Sequence, residues 1–143
     1  MADSPRKQLE ALFNQIILND NEIDFITTLD QDGEVLLSST EYNRDRQDAQ
    51  YLRENAENVA SSLSGLSELQ RVLVRFERES KRGKLEYTVF QLDNGILLTY
   101  FLDSGNGRTD TLAVITSTKS GLGLMRRAIE RKIGNIEDLI KQL

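Results

Sequence analysis

Residues 50–80, QYLRENAENVASSLSGLSELQRVLVRFERES, decide how the rest of the chain is arranged. Leu52, Val59, Leu66 and Leu73 recur at every seventh position, with Ala56 and Leu63 on the intermediate turns, which is the spacing of a helix. A seven-residue repeat drifts by about 20° per heptad on a 3.6-residue helix, so the apolar stripe winds and carries Leu69 and Phe76 on its trailing flank. A single flat sheet cannot cover such a stripe. Between the large residues stand Ala60, Ser61, Ser62, Ser64, Gly65 and Ser67, small enough for a second helix backbone to approach. The stretch therefore reads as one long helix with one flank on its own sheet and the other on a partner helix. A plain amphipathic helix packed once, with solvated serines, remains the alternative. Val72, Val74 and Phe76 alternate with Leu73 and Arg75 in a way that also suits a strand, but no turn residue interrupts the chain before Gly83.

At 143 residues, 38% hydrophobic and 29% charged, the chain fits one soluble domain spanning residues 1–143. It has no cysteine, histidine or tryptophan, which removes thiol chemistry, disulfides, histidine bases and the usual zinc or haem ligands together. A formal net charge of -5 argues against nonspecific nucleic-acid binding. No apolar run approaches the ~20 residues of a membrane span, and the N-terminus lacks a signal-peptide pattern. A cytoplasmic location is the expectation.

Outward from the long stretch, Ser4 and Pro5 read as the cap and first turn of a helix carrying Leu9, Leu12, Phe13, Ile16 and Ile17 and ending near Asn19. Ile23 to Leu29 alternates as a strand, and the Asp30-Gln31-Asp32-Gly33 turn leads to Val35, Leu36 and Leu37, a hairpin. Thr40 to Gln50 is polar with mixed charge and reads as a surface connection or the frayed start of the long helix. After the basic break at Lys81, Arg82, Gly83 and Lys84, Leu85 to Leu92 forms a strand, Asp93-Asn94-Gly95 turns, and Ile96 to Leu102 returns. Leu112 to Thr116 is a short, uncharged fifth strand, expected at the centre of the sheet. A final helix from near Ser120 carries Leu122, Met125, Ile129, Ile133, Ile136, Ile140 and Leu143, with a kink or a restart expected at Gly134 and Asn135.

Candidate chemistry is thin. Gly105-Asn106-Gly107 and Gly121-Leu122-Gly123 invite a phosphate reading, yet neither is followed by the lysine and hydroxyl residue of a nucleotide-binding loop. Asp30 with Asp32, and Asp20 with Glu22 and Asp24, lack the distal glutamate of a calcium loop and read as turn-forming carboxylates. Ser38, Ser39 and Ser117 have no histidine to activate them. No catalytic, cofactor-binding or metal-ligating residue is assigned, and the chain is not expected to be an enzyme.

The element order α-β-β-α-β-β-β-α, the two Asp-containing turns, the glycine before the final helix and Leu122-Gly123-Leu124-Met125-Arg126-Arg127 opening it resemble the roadblock/dynein light chain superfamily. In detail the chain is similar to the bacterial branch whose members partner Ras-like GTPases. The resemblance runs from about Gln8 to Ile140 and has no catalytic signature to check. It implies an α+β fold, a five-stranded antiparallel sheet with the first and last helices on one face and the long helix on the other. It also implies that two protomers pair through Gln50 to Ser80 and Leu85 to Leu92, giving one sheet across a homodimer. The expected interface is Leu52, Ala56, Val59, Ala60, Leu63, Gly65, Leu66, Leu69, Leu73, Phe76, Tyr87 and Val89. The implied function is a noncatalytic regulator or scaffold that binds a small Ras-like GTPase and raises GTP hydrolysis by positioning the partner's own residues. Glu54, Glu57, Asn58, Ser61, Glu68 and Arg71 would face that partner. Arg75 and Arg78 offer further charge, or merely solvate the helix end. The alternatives are a structural adaptor in a motor or signalling complex and, more distantly, a small-molecule sensor.

Overall fold

Alternating apolar strands joined by tight turns make a sheet, and the helical periodicities on either side of it supply two covers. The computed structural model describes residues 3–20, 22–117 and 121–143. Helix α1 spans Pro5–Asn19, with the Ser4 hydroxyl accepting from the Lys7 amide at 3.3 Å and proline in the first turn. Strands β1 (Ile23–Leu29) and β2 (Val35–Ser38) form the first hairpin. Helices α2 (Gln47–Glu54), α3 (Ala56–Ser61) and α4 (Leu66–Ser80) follow. Then come β3 (Thr88–Leu92), β4 (Gly95–Gly105) and β5 (Arg108–Thr116), and finally α5 (Leu122–Glu130) and α6 (Ile133–Ile140). The five strands pair antiparallel in the order β2-β1-β5-β4-β3.

The stretch expected to form one long helix is three shorter ones. Helix α2 ends at Asn55, whose side-chain amide donates to the Tyr51 carbonyl, and α3 ends in the Ser62–Gly65 run. There the Ser62 hydroxyl donates to the Val59 carbonyl and the Ser67 hydroxyl to the Ser64 carbonyl, so short polar side chains compete with the helical ladder. The breaks let the three helices follow the twist of the sheet, α2 against β1, α3 against β1 and β2, α4 against β5. Val72, Val74 and Phe76 are helical, as read from the sequence.

The final helix also divides, but at Arg131 and Lys132 rather than Asn135, leaving Gly134 in the first turn of α6, where its lack of side chain costs little. Its expected start at Ser120 lies outside the described residues; α5 opens at Leu122 after Gly121, which has a positive φ of 74°. The fifth strand reaches back to Arg108 and so contains a charged residue, Asp110, at the centre of the sheet. Burial pushes that carboxyl above its ordinary range, with Arg108 pulling the other way. The third strand starts three residues later than expected, at Thr88.

Two glycines are required by close approach. Gly33 has φ +85°, and a Cβ there would lie 2.6 Å from the Ser64 carbonyl oxygen, so the first hairpin turn presses on the α3–α4 joint. A Cβ on Gly95 would collide with the Thr116 carbonyl where β4 begins beside the end of β5.

Candidate functional site

The two faces of the sheet are finished differently. On one, Phe13 and Ile17 of α1, Met125 and Ile129 of α5 and Ile136 of α6 close over Ile26, Leu98, Leu112 and Val114 to make the main core. On the other, Leu29, Leu66 and Ala113 make a small enclosed cluster with Leu63, Leu69 and Leu97 packed at its margin, and Ala49 of α2 and Ala60 of α3 are enclosed as well. Beyond that small cluster the apolar stripe of α4 is open: Val72 is 66% and Phe76 62% exposed. The edge strand β3 is open too, with Leu92 54% exposed and Val89 and Phe90 more than a third.

Register decides which β3 side chains join that open face. Phe90 pairs with Leu97, on the α4 side, whereas Val89 pairs with Leu98, which belongs to the main core. Because side chains alternate along a strand, Thr88, Phe90 and Leu92 share the α4 side, and Val89 and Gln91 point the other way. Tyr87 lies on that other side as well. It packs against the main core, its ring centroid 6.3 Å from that of Tyr100, under the Arg126 guanidinium at 3.8 Å. Arg126 in turn pairs with Glu130 at 3.3 Å along α5. Tyr87 and Val89, expected from the sequence in a pairing surface, thus lie on the main-core side of β3, and Val72, Phe90 and Leu92, not named in that expectation, are the exposed apolar residues on the α4 side. Those three had a signal, since they are apolar residues on a helix flank and an edge strand, but choosing among them needs the β3–β4 register.

The remaining expected interface residues divide by depth. Ala60 is fully enclosed and Leu66 nearly so, both against the chain's own sheet, which leaves them little to offer a partner. Leu52, Ala56, Val59, Leu63, Leu69 and Leu73 are half-buried, and Gly65 is exposed with open space around its Cα. Leu73 and Phe76 line a groove of about 290 Å³ with Leu85 and Tyr87. Glu54, Glu57, Asn58, Ser61, Glu68 and Arg71 are all exposed along α2, α3 and the start of α4, and Arg71 pairs with Glu68 at 3.2 Å.

A second feature went unread. Asp24, taken as a turn carboxylate, is buried in β1 at 2% exposure and forms an ion pair with Arg46, whose guanidinium also reaches Ser117 at the end of β5. Burial pushes the Asp24 carboxyl up to about 6, Arg46 opposes that rise, and nearby Asp48 adds to it. The segment before α2 is thus tied to the sheet by Arg46 rather than simply solvated. Beside the pair is a cleft of about 610 Å³ lined by Asp48, Tyr51, Leu92 and Asp93 among others. Among the described residues, no group of three or more acidic side chains is placed to hold a metal ion, and no helix is long and apolar enough to cross a membrane.

No protein-family profile matches the chain, and no curated protein matches it. Solved structures do. Myxococcus xanthus MglB superposes with a TM-score of 0.68 at 14% identity, over 95% of this chain and 97% of that one. A roadblock/LC7 domain from Streptomyces avermitilis gives 0.62 at 19% identity, over 90% and 94%. An MglB with tetrameric arrangement gives 0.62 at 14% identity, over 99% and 93%. With its strand order, its helix placement and these superpositions over nearly the whole length, the chain has the roadblock/LC7 fold.

Proposed function

We propose that this chain, acting as one domain over residues 1–143, is a noncatalytic homodimeric regulator or scaffold that binds a small Ras-like GTPase in the cytoplasm. The observation that carries the reading is the unfinished face: Val72 and Phe76 of α4, and Phe90 and Leu92 of the edge strand β3, are large apolar side chains left exposed on the same side of the sheet. A second copy covers it. Each large apolar side chain so buried contributes about 1.5–3 kcal/mol, and pairing β3 to its counterpart removes an edge that otherwise invites aggregation. The shared fold with an MglB of tetrameric arrangement supports self-association. The exposed polar row Glu54, Glu57, Asn58, Ser61, Glu68 and Arg71 remains available when the apolar stripe is covered, and it is the surface assigned to the GTPase.

Light scattering on the wild-type chain is expected to give a dimer mass, and Phe76→Asp a folded monomer. Titration with Ras-like GTPases from the same genome, loaded with GTP or GDP, is expected to show nucleotide-dependent affinity that Glu57→Lys weakens. Affinity indifferent to the nucleotide makes the chain a structural adaptor instead.

A further inference from the structure

Strand β4 runs from Gly95 to Gly105, but β3 accompanies it only as far as Thr88 opposite Thr99. The residues just before β3, Leu85, Glu86 and Tyr87, keep the apolar–polar alternation of a strand without belonging to one. Continuing the β3–β4 register sets Tyr87 opposite Tyr100, Glu86 opposite Phe101, Leu85 opposite Leu102 and Lys84 opposite Asp103. These are good neighbours. Two tyrosines whose rings are already close, two leucines and a pair of opposite charges would face one another across the strands.

The two sides are instead held apart by carboxylates. The Leu85 amide donates to Glu77 Oε2 on α4 at 2.6 Å, and the Asp103 amide donates to Glu137 Oε2 on α6 at 2.7 Å. At the head of the segment, Lys81 and Gly83 have positive φ values of 54° and 98°, a sharp pivot between α4 and the strand. Between the segment and β4 lies a cleft of about 280 Å³ lined by Glu77, Lys84, Leu85, Phe101 and Asp103. Lys84, Leu85, Leu102 and Asp103, which the extended ladder would pair, all line it, together with α4 residues.

We propose that Lys84–Tyr87 is a two-state strap, docked on α4 through Glu77 in one state and zipped onto β4 as an extension of β3 in the other. The docked state hides backbone donors behind glutamates and keeps the free edge short. The zipped state exchanges those contacts for ladder hydrogen bonds and the Lys84–Asp103 pair, and presents a longer edge strand. That the longer edge favours a second copy rests on the self-association reading above; the strap itself does not.

The chain contains no cysteine, so an engineered pair is a clean reporter. Lys84→Cys with Asp103→Cys replaces two exposed residues that the zipped register sets opposite each other. Under mild oxidation in dilute solution, an intrachain disulfide is expected, forming at least fivefold faster when Glu77→Ala is added. Hydrogen exchange of residues 84–87 in Glu77→Ala without the cysteines is expected to slow. A folded protein that forms no intrachain bond, a rate indifferent to Glu77→Ala, or faster exchange at 84–87 overturns the strap. If the disulfide and exchange behave as expected while light scattering finds only monomer, the strap stands and the dimer reading falls.

Discussion

The α1–α5–α6 face and the α2–α3–α4 face are built on the same five strands, yet one is sealed and the other is not. The first receives Ile96, Leu98, Tyr100 and Leu102 from β4 and covers them with three apolar helices. The second receives Leu97, Thr99 and Phe101, and its cover is broken twice and leans on β2, β1 and β5, so the β3 side stays open. A sealed face reports on folding, because its residues are inside every molecule. An open apolar face reports on assembly.

The sharpest way to break that contrast is a pair of phenylalanines. Phe13→Ala, in the sealed core, is expected to lower unfolding free energy by about 3–5 kcal/mol, read as a shifted urea midpoint. Phe76→Ala, on the open face, is expected to leave the midpoint of dilute protein within about 0.5 kcal/mol while raising the dimer dissociation constant. Equal losses of folding stability would mean that both faces are core.

Next in size is the α3–α4 joint. Leu66 is almost fully buried, so Leu66→Asp is expected to destabilise the protomer itself by several kcal/mol, on the order of the cost of an unpaired buried charge. Gly65 beside it has no atom within reach of a new Cβ, so Gly65→Glu is expected to keep the melting temperature and halve the mass. A Gly65→Glu chain that unfolds would place the joint inside the core instead.

The Asp24–Arg46 pair gives a smaller, pH-dependent effect. The folded carboxyl is raised to about 6 from an ordinary 3.8, so between those values the folded state binds more protons than the unfolded chain. Its contribution is full below about pH 4 and is lost as the pH rises through about 6. Relative to Asp24→Asn, the wild-type chain is expected to lose about 1–3 kcal/mol between pH 4 and 7, on a scale of about 1.4 kcal/mol per pKa unit. Parallel pH profiles for the two proteins would show that Asp24 does not titrate in this window. Smallest of all is Glu41→Ala, in the connection before α2, expected to move stability by no more than about 0.5 kcal/mol.

Much of the fold was legible because it is local. Ser4 and Pro5 announce α1, Asp30 to Gly33 and Asp93 to Gly95 announce the hairpins, and the helix carrying Phe76 was readable despite its β-branched neighbours. The two breaks in the long helix were less legible, since Asn55 and the Ser62–Gly65 run carry only weak local penalties and the sheet's twist makes the final choice. Of the residues expected to pair with a second copy, Phe76 is exposed on the α4 side, whereas Tyr87 and Val89 lie on the main-core side of β3 and Phe90 and Leu92 on the α4 side; both sides of that alternation are apolar, so the sequence does not choose between them.

By itself the sequence determined the order of strands and helical regions, the sites of the turns and the apolar stripe of α4, since each follows from dihedral preference and periodicity over a few residues. Tertiary structure alone decided which side of β3 meets that stripe and that Asp24 in β1 finds Arg46 ahead of α2. Only chain-wide registration brings those residues together, and burial then makes the partnership matter by removing the water that would otherwise screen it.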